Sequence, residues 1–90
     1  MQDDLQTDEY GISISREMTV CRNMITRQVK ELSRFEKQYG ISTERLLAGE
    51  TPLGVGDART LEEWRNGYAG LLAWRQRLRE YEEAYNALRR

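Results

Sequence analysis

Side-chain chemistry in this chain starts from an absence: none of its 90 residues is histidine. That removes the commonest general base and the commonest metal ligand. Cys21 is the single cysteine. Alone it can form neither an internal disulfide nor a cysteine-rich zinc site. Eleven Glu and four Asp supply carboxylates, but no Ser or Cys nucleophile has a His beside it to take its proton. The Glu-x-x-His pattern of di-iron bundles is also missing. Gly54-Val55-Gly56 lacks the spacing and the lysine of a phosphate loop. The expectation is a protein that is not an enzyme and holds no cofactor or metal.

The remaining charged chemistry is basic. Arg16, Arg27, Lys30, Arg34 and Lys37 recur at spacings that, at 100° per residue, gather them within about 80° on one side of a helix. Such a stripe could follow phosphates or dock an acidic protein. The plainer reading is a solvated outer face, visited by the chain's own acidic N-terminus. Overall charge does not favour nucleic acid, because 14 basic residues face 15 acidic ones, a net charge of −1.

Two long helices must position these groups. In residues 60–90, Trp64, Leu71, Leu78 and Tyr85 stand seven apart, and so do Gly67, Trp74, Tyr81 and Leu88. Two lines three residues apart make a heptad seam, the mark of supercoiled helix packing. Thr60-Leu-Glu-Glu63 fits a capping box and is expected to open this helix, with two acids in its first turn. Gly67 and Gly70 either admit the backbone of a neighbouring helix or leave room for Trp64, Tyr68 and Trp74.

A matching pattern covers residues 16–39. Met18, Ile25, Leu32 and Tyr39 form one line; Cys21, Gln28 and Phe35, with Val29 beside them, form the other. In this seam Cys21 reads as a small buried hydrophobe. Gly40 suits a left-handed helix stop. The basic stripe falls on the opposite side. The fold class that follows is all-α: an antiparallel two-helix hairpin with coiled-coil-like seams. A short helix within residues 41–49, capped by Ser42 and ended by Gly49, should join the two, with Leu46 and Leu47 plugging the closed end. The C-terminal helix is expected to be the longer, leaving a seam for a second hairpin to cover in a helical bundle. Leu, Ile, Val and Phe supply only 18 residues, little for a self-sufficient core. A homo-oligomer is the expected partner arrangement.

Residues 1–9 carry four acids and no base. They read as an acidic flexible tail ahead of a single helical domain over 10–90. They show no secretory pattern, and no stretch approaches the roughly 18–20 apolar residues of a membrane span, so a cytoplasmic location is expected. Tyr10-Gly-Ile12-Ser-Ile14-Ser alternates like a short strand. It could pair with its copy, extend a partner's sheet or stay disordered.

The run Leu32-Ser-Arg-Phe35-Glu-Lys-Gln-Tyr39-Gly40-Ile41-Ser42, followed by Glu62-Glu-Trp64, resembles a group of small helical prokaryotic proteins. These carry an L-x-x-F-E-x-x-Y-G-hydrophobic-S motif. Some sit in gene neighbourhoods of toxin–antitoxin type. The resemblance covers roughly residues 30–82 and implies an antitoxin-like or regulatory subunit with a protein partner. It supplies no catalytic residue. The leading expectation is a self-associating protein–protein interaction module. The alternative is a nucleic-acid-associated protein that uses the basic stripe.

Overall fold

The two seams meet each other. The computed structural model describes residues 2–52, 54 and 58–89, with side chains from residue 9 onward. Helix α1 spans Gln2–Tyr39, α2 spans Thr43–Leu47 and α3 spans Ala58–Leu88. Phe35 stacks on Trp64, Leu32 lies over Gly67, and Leu88 reaches Gly11 at the far end. That constant register makes α1 and α3 an antiparallel hairpin. The molecule is a rod of 63 × 18 × 18 Å with a radius of gyration of 18.3 Å. A compact domain of this length would have a radius near 12 Å.

The core follows the heptads. On α1, Ile14, Met18, Cys21, Leu32 and Phe35 are buried, with Ile25, Gln28 and Tyr39 half-buried between them. These positions alternate four and three apart, which holds them on one line of a supercoiled helix. On α3, Trp64 and Leu71 are buried. Leu46 of α2 completes a cluster with Leu32, Phe35, Trp64 and Leu71.

The closed end is fixed by hydrogen bonds. Gly40 adopts φ +73° and stops α1. The Ser42 side chain accepts from Arg45 N at 3.2 Å, capping α2 as its position suggests. Gly49 adopts φ +102°, and bonds from its own N–H to Leu46 O and from Glu50 N–H to Arg45 O close α2. That is the Schellman arrangement that satisfies a helix's last carbonyls.

Several expectations are corrected. Residues 10–15 are helical. A lone strand would leave its N–H and C=O groups unpaired, whereas a helix satisfies them locally. In the helix Ile14 joins the buried seam, while Tyr10 and Ile12 stay 57% and 54% exposed. The backbone of residues 2–9 belongs to the same helix, so the acidic run opens α1. Acids at a helix N-terminus suit the positive end of its dipole. The relative lengths are therefore reversed: α1 has 38 residues and α3 has 31. α3 ends beside Gly11, and α1 continues roughly 14 Å beyond it.

α3 begins at Ala58, with no acid in its first turn. Thr60 lies inside that turn instead of capping it. Leu47 is exposed, because neighbours 100° apart cannot both face one cluster, and Leu46 takes the inward place. Apart from Gly54, the Gly54-Val55-Gly56 segment lies outside the described residues. Among the described residues there is no strand, and no helix is long and apolar enough to cross a membrane.

Candidate interaction surface

Three sets of residues bear on what this rod could bind. The first is the closed-end network. Trp64 is 0% exposed, and Phe35 stacks on it with centroids 5.4 Å apart and planes at 9°. Tyr39 packs on it at 5.9 Å and 26°. The Trp64 indole Nε1–H donates to Thr43 Oγ1 at 2.9 Å, and Thr43 N–H donates to Glu36 Oε2 at 2.7 Å. One chain of contacts thus joins α1, α2 and α3. A buried indole N–H needs a partner, and Thr43 is that partner. The heptad reading misses this network. The usable signal is that Glu36 and Thr43 lie seven apart across a glycine stop.

The second set is the seam. Trp64 and Leu71 are buried. Trp74, Leu78, Tyr81, Tyr85 and Leu88 face the same way but are only half-buried. α1 covers them from one side, and two helices cannot enclose a seam. Leu78, expected to match Leu71, therefore stays partly open. Gly70 gives close approach to the Gln28 side chain, whereas Gly67 leaves room for a Cβ at ordinary contact distance. A Cβ on Gly70 would lie 3.3 Å from Gln28 Nε2, and one on Gly67 3.6 Å from Gln28 and Leu32. The Gln28 side chain lies across the two glycines.

Cys21 is buried in the same seam. Burial pushes its thiol above the ordinary range, against the lowering influence of Arg77. A thiol held neutral is a poor nucleophile.

The third set is the outer face of α1. Arg16, Arg27, Lys30, Arg34 and Lys37 are all exposed there. Glu31 reaches across to Arg34 at 2.6 Å, and the Arg34 guanidinium also stands over the Phe35 ring at 5.4 Å. Exposed ion pairs of this kind add about 0–1 kcal/mol, so the face remains positive. Two open recesses adjoin it. One lies among Met24, Arg27, Gln28 and Glu31, the other among Ser33, Lys37, Ile41 and Arg45. Glu50 holds Arg45 through paired contacts of 2.5 Å and raises its pKa. Neither recess is an enclosed pocket. Among the described residues no group of three or more His, Cys, Asp or Glu is placed to hold a metal ion.

Comparison with known protein families, with curated proteins and with solved structures gives no match to this chain.

Proposed function

We propose that this chain is a cytoplasmic, non-enzymatic protein–protein interaction module that self-associates. One observation carries the reading. The rod is a single helical hairpin whose seam, from Trp74 to Leu88, is roofed on one side only and stays half-open. Exposed Val29 and Leu72 add apolar surface beside it. Apolar surface of this extent on a small fold marks an association site. The motif around Phe35 and Tyr39 supports a regulatory or antitoxin-like setting for such a module. Light scattering across a concentration series tests the central claim. A mass that is a multiple of 10.6 kDa is expected. The monomer mass at high micromolar concentration would overturn it.

A second reading rests on the five exposed cations of α1. As a nucleic-acid surface they would neutralise phosphates, and binding would weaken with a log–log salt slope near −4.5 for about five contacts on a duplex. Apolar helix packing responds to salt in the opposite sense, since excluded salts strengthen it.

A further inference from the structure

We propose that a second copy of this chain covers the half-open Trp74–Leu88 seam, packing α3 on α3 antiparallel about a two-fold axis between residues 78 and 79. This rests on the self-association reading and specifies its surface and register.

The seam has two flanks on α3, and they differ. On one flank Arg75, Arg79, Glu82, Asn86 and Arg89 are all exposed. A neighbouring helix would have to desolvate each of them, and two copies would meet with the same net positive charge. Leu72 and Val29 do not relieve this. Seven residues to either side of Leu72 stand Arg65 and Arg79, and of Val29, Arg22 and Glu36. The other flank is a stripe of Gly70, Ala73, Arg77, Glu80, Ala84 and Ala87, alternately three and four apart. Gly70 and Ala84 are half-buried and the other four are exposed. Trp74, Tyr81 and Leu88 each stand three or four residues from members of this stripe, so the open seam runs onto it without a break. Its small side chains let two helix axes approach closely. Seven-residue spacing turns the stripe about 100° from the face that meets α1, which suits a helix with two neighbours in a four-helix bundle.

Charge sets the register. Arg77 and Glu80 are the two ionised members of the stripe. Among the described residues neither is in an ion pair. Arg77 rests over the Trp74 ring at 4.8 Å, and Glu80 Oε1 accepts from Gln76 Nε2 at 3.3 Å. Antiparallel pairing about 78–79 brings Arg77 to the partner's Glu80 and Glu80 to the partner's Arg77. It also sets Ala73 on the partner's Ala84 and Gly70 on the partner's Ala87. Sliding by one heptad in either direction leaves both charges covered by Gly or Ala and unpaired. Parallel pairing opposes each charge to its own copy.

The backbone selects the same axis independently. Leu32 over Gly67 and Leu88 beside Gly11 fix the level of α3 on α1, and set 78–79 beside residues 20–21. That is the midpoint of α1, Gln2–Tyr39. Two rods paired there overlap from end to end, and the length of α1 that α3 leaves uncovered lies along the partner's closed end. Met24 is on the same flank, since its recess shares Gln28 with Gly70. Val20, one turn away and 45% exposed, is covered with it by the second α1. The contact is isologous and closes as a dimer of two hairpins.

The test separates surface from stoichiometry. In a Cys21→Ser background, Ala73→Cys and Ala84→Cys are refolded together, oxidised with diamide and read by non-reducing electrophoresis. A disulfide needs Cα atoms within about 7 Å. The mixture is expected to give a covalent dimer. Neither variant alone should, because in this register the two copies of either position are about 16 Å apart along the axis. Arg77→Glu and Glu80→Arg should each weaken the dimer at least tenfold in sedimentation, and Arg77→Glu/Glu80→Arg should recover it. Circular dichroism checks that each variant stays helical. An oligomer that lacks the mixed disulfide or ignores the charge exchange would overturn this surface and leave self-association standing. A covalent dimer from either cysteine variant alone would overturn the register. A monomer at high micromolar concentration would overturn the surface and self-association together.

Discussion

The closed-end network makes the sharpest claim on stability, and a double-mutant cycle on Trp64 and Thr43 tests it. Thr43→Val keeps the side-chain shape and removes Oγ1, leaving the Trp64 N–H buried without an acceptor. An unsatisfied buried donor costs about 1–3 kcal/mol. Trp64→Phe removes the donor, leaves Thr43 Oγ1 without the indole and shrinks a side chain that is 0% exposed. It should cost about as much again, plus a cavity term of roughly 24 cal/mol per Å³. In the double variant neither polar group is stranded, so the combined loss should fall short of the sum by about 1 kcal/mol or more. A domain of this size holds roughly 5–13 kcal/mol in total, and each kcal/mol moves its melting temperature by about 4–8 °C. Urea denaturation followed by circular dichroism reads all four proteins. Additive losses would refute the coupling, and a Trp64→Phe protein as stable as the wild type would show that the indole does not organise this end.

Three further outcomes follow from burial and backbone geometry. Leu71→Ala should cost about 2–5 kcal/mol, since Leu71 is 4% exposed; a loss within about 0.5 kcal/mol, the range of an ordinary surface substitution, would put the wrong face of α3 inside. Gly67→Ala should raise stability by about 0.5–1 kcal/mol through helix propensity, because the new Cβ meets only ordinary contacts at 3.6 Å, whereas Gly40→Ala should lower it by about 1–2 kcal/mol because φ is +73° there; thermal melts of both check the assignment. Burial raises the folded-state pKa of Cys21, so the fold favours the neutral thiol. That contribution is complete below the unfolded thiol's pKa and is lost as pH rises through the folded value. The stability advantage of wild type over Cys21→Ala should therefore shrink in alkaline denaturation series, and a constant difference would contradict it.

How much of this could be read from the sequence depends on how many physical demands each residue answers. Leu32, Phe35 and Leu71 answer one, burial on a helix, and their places on seven-residue lines expose it directly. Gly40, Ser42 and Gly49 mark boundaries because only certain residues tolerate φ near +70 to +100° or reach back to a free N–H. Tyr10–Ser15 answers two demands at once. Its alternation suits a strand, yet Ile14, Met18 and Cys21 also continue the seam four and then three residues apart. The helix wins because it needs no outside partner for its backbone. Missing that continuation hides the overhang, since with a start at residue 16 the first helix looks the shorter. The Trp64–Thr43–Glu36 network is hidden for another reason. Hydrogen bonds across a turn leave no periodic trace, and Thr43 reads as an ordinary first-turn residue. The basic stripe is legible as a position, but the meaning of an exposed cation depends on where the acids lie. Once α1 runs unbroken from Gln2, the acidic run and the stripe become two ends of one rigid body.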